Sequence, residues 1–283
     1  MSNNNYIVHM HVALSGLNIG LHTICSTLLC HIYRTSDGSK TQQLYLLNLS
    51  MMELLENIFF FVWNLTYAVG VVSYGSVMWL LYLSILLVNI SAMFLITADR
   101  LVASWLILRY NYICTVFRVK VAILCTWVFC LIVVPSVFGA LYFAYGLSVL
   151  DEAELYAHRI IFPVTYFSFF VFASSAYTIM FVIFVKSRRR ISSMHQPVLY
   201  LIRSSKFYIA LLLILSFLLL SVLPQLIKSG MVLHIIEYNH TLKWVLNIAF
   251  FFSDTADGII YFIFYSPIRK LLGKFLRLSE ADV

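Results

Sequence analysis

Proline and glycine are scarce in these 283 residues, at 5 and 10, and only 11% of the chain is charged. With no low-complexity stretch and only short polar segments between apolar runs, the sequence leaves no room for linkers. Residues 1–283 therefore read as a single domain without a separate soluble unit. The five cysteines, Cys25, Cys30, Cys114, Cys125 and Cys130, show neither CxxC nor zinc-type spacing and lie in or beside apolar runs. No disulfide and no structural metal site is expected from them. No HExxH or GxSxG occurs either, so nothing in the motifs points to an enzyme.

What the chain has in excess is apolar side chains. They make up 62% of it, against about 45–50% in a soluble domain, and the mean hydropathy is +0.91. Such a chain needs a lipid bilayer as its solvent. The net charge of +7 does not point to nucleic acid, because the basic residues flank apolar runs. A spanning helix takes about 20 apolar residues. Seven stretches qualify, at approximately 8–32, 43–69, 76–106, 119–145, 158–186, 205–228 and 241–265, predicting an all-α, seven-helix transmembrane bundle. The first lacks a basic leader and is too long for a cleaved signal, so it is expected to act as an uncleaved anchor.

Of the 19 Lys and Arg residues, all but Arg159, Lys228 and Lys243 fall on the side that holds the C-terminus. That bias places the N-terminus outside and the C-terminus in the cytoplasm. The acidic group Asp151, Glu152 and Glu154 then lies in an outer loop, as does the sequon at Asn239, a glycosylation candidate. Sequons at Asn64 and Asn89 fall within or near spans and are read as chance matches. Beyond the seventh span, Ile268, Leu271, Leu272, Phe275 and Leu276 recur at helical spacing with basic residues between them. This pattern predicts a short amphipathic helix over 267–277, lying in the inner headgroup layer.

Ionisable groups inside a span cost at least about 2.5–3.5 kcal/mol each on insertion scales, which makes each a functional candidate. Span 2 carries Glu53, span 3 ends in Asp99 and Arg100, and span 7 carries Asp254 and Asp257. Asn247, Asp254, Asp257 and Tyr261 share one face of span 7. Tyr82, Asn89, Ile96 and Arg100 share a face of span 3, and Glu53, Asn57 and Asn64 a face of span 2. Three such stripes facing one another predict a hydrated seam. The plainer alternative, polar side chains that merely glue helices together, suits the lone asparagines but not three acids and an Arg-Asp pair.

In order along the chain, Asn48-Leu49-Ser50-Met51-Met52-Glu53 is similar to an N-L-A-x-x-D pattern, and Asp99-Arg100-Leu101 to D-R-Y. Trp127 with Pro135, Tyr177 before a basic run, Pro224, and Asp257-Gly258-Ile259-Ile260-Tyr261, similar to N/D-P-x-x-Y, follow in the same order. In this the chain resembles the rhodopsin-like G-protein-coupled receptors. The resemblance implies a receptor that passes extracellular ligand binding to a heterotrimeric G protein at the plasma membrane. In that scheme Arg100, held at rest by Asp99, swings on activation towards Tyr177 and Tyr261 and receives the G protein. An Arg suits the role because it stays charged and offers five donors. The resemblance also places Glu53, Asp254 and Asp257, with Asn89 and Ser253, around a sodium pocket. Three acids there imply occupancy by sodium, by protons or by both.

The chain departs from the family at several points. Val222 stands where the family has a tryptophan switch, Gly258 replaces a proline, and the usual outer disulfide has no cysteines to form it. Pro163 lies early in span 5, and Asn18 stands too far along the sequence from Glu53 to be assigned as the asparagine of span 1. The retinal lysine position is Phe251 and the amine-binding aspartate position is Tyr82, so neither retinal nor an ordinary monoamine is expected. The segment before span 1 is too short for a capture domain. A small molecule, lipid or short peptide is expected instead, against Trp63, Tyr82, Gln225, Trp244 and Asn247. The competing classes are an ion- or proton-coupled transporter or channel, and a receptor-like partner protein that does not signal.

Overall fold

The computed structural model describes residues 2–35, 40–69, 76–106, 109–145, 162–191, 212–213, 215–232 and 240–281. Every regular element among them is helical: α1 (Ser2–Thr35), α2 (Lys40–Ala68), α3 (Ser76–Trp105), the single turn α4 (Tyr110–Ile113), α5 (Val116–Val128), α6 (Val134–Tyr145), α7 (Phe162–Ile191), α8 (Leu223–Val232), α9 (His240–Phe264) and α10 (Ser266–Ala281). A chain this apolar has little choice, since a helix satisfies its backbone hydrogen bonds within one segment and lipid offers none.

Six helical stretches are long and apolar enough to cross a membrane: Val8–Thr35, Lys40–Thr66, Leu81–Trp105, Val116–Val137, Pro163–Ile183 and Val245–Phe264. They mark the chain as a multi-pass membrane protein. The stretch expected at 205–228 is represented by a shorter apolar helix, Leu215–Lys228, and most of its first half lies outside the described residues. So do the acidic group at 151–154 and Asn239. Asn64 and Asn89 are buried within α2 and α3.

Two prolines shape the helices in the same way. A π-helical turn, Phe129–Val133, precedes Pro135 between α5 and α6, and another, Leu218–Val222, precedes Pro224 at the start of α8. Proline lacks an N–H and its ring crowds the carbonyl four residues back, so the helix widens on its N-terminal side. Between α3 and α5, Thr115 accepts from the Arg118 backbone N–H at 3.3 Å and starts α5. The Arg118 guanidinium donates to the carbonyls of Tyr112 and Ile113 at the end of α4.

α1 packs along α2 and α9, α2 also against α3, and α3 against α7. The shared core includes Leu29, Leu49, Leu86, Met93, Phe169 and Phe217. α10 follows Tyr265 directly, opens with Pro267 near its first position, and touches α9 and α1, with Ile268 fully buried.

Candidate intramembrane site

α1 carries His11, Ser15, Asn18 and His22 at intervals of four, three and four, hence on one face, and this face meets α2 and α9. The Asn18 amide donates to Asn57 Oδ1 at 3.2 Å and to the Phe251 carbonyl at 3.1 Å, and accepts from Thr255 Oγ1 at 2.7 Å. One turn along, His22 Nε2 lies 2.9 Å from the Asp254 carbonyl and His22 Nδ1 lies 3.0 Å from Glu53 Oε2. Asn57 donates to Asp254 Oδ2 at 2.7 Å and to the Glu53 carbonyl at 2.8 Å, and Asn89 donates to Glu56 Oε2 at 2.6 Å. Asp257 faces Glu53 and Ser216.

Glu53, Glu56, Asp254 and Asp257 are thus gathered between α1, α2, α3 and α9, and none is more than 5% exposed. Protonation is partly dictated by geometry. A carbonyl only accepts, so His22 Nε2 carries a hydrogen. The approach of Nδ1 to Glu53 Oε2 is a close polar contact and not an aligned hydrogen bond, since neither atom has a hydrogen-bond partner among the described residues. Among the described residues the ion pairs are this one and Arg100–Asp99, so no Lys or Arg balances the other three carboxyls. Bare carboxylates are costly in such an interior. Among the described residues no group of three or more His, Cys, Asp or Glu side chains is arranged to hold a metal ion.

The three expected stripes do converge at Glu53, Asn57, Asn89, Asp254 and Asp257, and two additions come from the tertiary structure. Asn18, which sequence spacing left unassigned, reaches α2 and α9, while it is His22 that meets Glu53. Glu56 joins the acids from one turn along α2. Both had a legible signal: the polar periodicity of α1, and an acid three residues after Glu53. Ser253 is buried one position round α9 from Asp254, and Asn247 is half-buried two turns away. Of the expected ligand contacts, Trp63 and Tyr82 meet with ring centroids 6.3 Å apart and Gln225 bonds Tyr82. The Trp244 side chain lies outside the described residues.

At the far end of α3, the Arg100 Nε donates to Asp99 Oδ2 at 2.9 Å and a guanidinium Nη closes on the same oxygen. The Tyr110 hydroxyl of α4 donates to Asp99 Oδ1 at 2.6 Å and lies 3.3 Å from Thr41 Oγ1. Burial, and then the charge of Asp99, push the Tyr110 phenol above its ordinary range, so it remains a donor at any physiological pH. A small cleft beside the pair is lined by Gln42, Tyr45, Leu46, Ile96 and Leu213. Tyr177 lies close enough for the Arg100 charge to act on its phenol. Tyr261 does not join them: it is fully buried beside Glu53, Asp257 and Cys25. All five cysteines are free thiols.

Neither protein-family models nor curated protein sequences match this chain.

Proposed function

We propose that the chain is a rhodopsin-like G-protein-coupled receptor, a seven-helix bundle at the plasma membrane with its N-terminus outside, which passes binding of a small extracellular ligand to a heterotrimeric G protein. The observation that carries this reading is the Asp99–Arg100 pair at the end of α3, beside a cleft between α2, α3 and Leu213. A charged guanidinium kept there by a neighbouring carboxylate is poised for release to a partner that enters the cleft.

Two further contacts support it. The Trp127 indole donates to Asn48 Oδ1 at 2.8 Å, joining two residues of the resemblance from different helices. His22 bridges Glu53 and the α9 backbone, so α1 is tied to the acid of the N-L-A-x-x-D-like pattern by a histidine instead of an asparagine. In this reading Leu215–Lys228 is the outer part of the sixth span. α10 is the amphipathic eighth helix, with its basic face towards the inner headgroups.

Nucleotide exchange on a panel of purified G proteins, driven by membranes containing the chain, tests the proposal against an Arg100→Ala variant at equal expression. Exchange that disappears in the variant is the expected result. Exchange equal in both would overturn the role of Arg100. Silence in both, together with ion flux in proteoliposomes lacking any G protein, would move the reading to a transporter, the alternative that the four-acid cluster favours.

A further inference from the structure

Glu56, like Glu53 and Asp257, keeps one buried carboxyl oxygen without a hydrogen-bond partner among the described residues, and it alone of the three is bonded to an asparagine whose own oxygen is also left over. Oε2 accepts from Asn89, but Glu56 Oε1 and Asn89 Oδ1 are both buried without a hydrogen bond among the described residues. Glu56 is 0% and Asn89 5% exposed. Two neighbouring acceptors left without hydrogens in a low-dielectric interior are costly, so they call for a guest that brings N–H or O–H groups and, opposite a carboxyl, positive charge.

The surroundings narrow the chemistry. Glu56 lies within electrostatic reach of the Tyr82 and Tyr166 phenols. One and two turns further out on α2, Phe60 and Trp63 extend the same side, at four and seven residues from Glu56. The Phe60 ring centroid is 5.3 Å from Tyr82 and 5.3 Å from Phe251, and Trp63 is 6.3 Å from Tyr82. Rings from α2, α3 and α9 thus form an aromatic wall above an acidic floor, the combination that attracts an organic cation through ring faces and a charge-assisted hydrogen bond. A bare metal ion is poorly matched to it, since aromatic carbon supplies no ligand oxygens.

We propose that the receptor's ligand is an organic cation whose ammonium or similar N–H-bearing head binds Glu56 and Asn89, with Phe60, Trp63 and Tyr82 around its hydrocarbon part. Glu56 puts on α2 the anion that is missing at Tyr82. The inference takes its biological meaning from the receptor reading, but binding does not depend on coupling and is measured without a G protein.

The test is the thermal unfolding midpoint of the purified full chain in sodium-free potassium buffer, titrated with benzylammonium and, at equal ionic strength, with neutral benzyl alcohol. Benzylammonium should raise the midpoint saturably and benzyl alcohol should not. Glu56→Gln should weaken the apparent affinity about tenfold or more, whereas Leu124→Ala, at an exposed position of α5, should leave it unchanged. Equal effects of the two probes, no effect of benzylammonium, or an undiminished effect in Glu56→Gln would each overturn the proposal. Should Glu56→Gln fail to fold, Glu56→Asp and Tyr82→Leu replace it, and unchanged affinity in both would be equally decisive. Intact benzylammonium binding by a chain that drives no nucleotide exchange would overturn the receptor reading and leave this site standing.

Discussion

His22 is the residue on which the buried cluster turns. Its two ring nitrogens join α1 to Glu53 on α2 and to the Asp254 carbonyl on α9, and no other cationic side chain pairs with the acids among the described residues. Removing one partner of a buried charge contact leaves the other uncompensated, at a cost of about 3–5 kcal/mol. His22→Ala should therefore lower the thermal midpoint of the purified chain by several degrees. His22→Asn, which can still donate to the α9 carbonyl, should recover part of the loss. Equal midpoints for wild type and His22→Ala would show that the contact adds nothing. The three remaining carboxyls lead to a second expectation. On the expectation that sodium or protons neutralise them, raising sodium or lowering pH should shift basal exchange or ligand affinity in the same direction. Both dependences should flatten in the Glu53→Gln, Asp254→Asn double variant. Dependences as steep in that variant as in wild type would rule the cluster out as their source.

At the scale of elements, the approach of α9 to α1 depends on one missing side chain. A Cβ added at Gly258 would overlap the end of the Leu21 side chain and sit 2.6 Å from Leu21 Cγ. Glycine here serves close packing, and α9 runs through it as one continuous helix where the receptor resemblance would put a proline. Gly258→Ala should destabilise the chain by about 1–3 kcal/mol through overpacking. Leu21→Ala in the same chain should recover much of that loss in a thermal unfolding measurement. A Gly258→Ala chain as stable as wild type would show that Leu21 moves aside freely. The sequence announced the helices themselves and the prolines that interrupt them, because apolar length and ring geometry are local properties. It did not announce the contact between Gly258 and Leu21, since neither residue carries any mark of the other.

For the whole molecule, the charge bias along the sequence implies an orientation that can be measured directly. If the N-terminus is outside, the sequon at Asn239 faces the lumen during synthesis and is glycosylated. An enzymatic deglycosylation shift that vanishes in Asn239→Gln is the expected outcome. A shift confined to reporters placed on the C-terminus would mean the reverse orientation. In that orientation the Asp99–Arg100 cleft would lie at the cytoplasmic end, and the aromatic wall above Glu56 towards the outside.

Hydropathy and charge bias, read along the chain, determined that this is a helical membrane protein, roughly where its spans lie, and which polar residues had to face inward, because each property is settled by a segment and its solvent. Periodicity alone even grouped Glu53 with Asn57, and Asp254 with Asp257. Which stripe meets which was decided only by tertiary packing. It brought His22 and Asn18 of α1 to the acids, placed Glu56 against Asn89, and set Tyr261 beside Glu53 and not beside Arg100. The rotation and depth of each helix follow from close packing between surfaces far apart in sequence, at Gly258 and Leu21 as much as at the charges, and a single strand of letters carries no record of its neighbours.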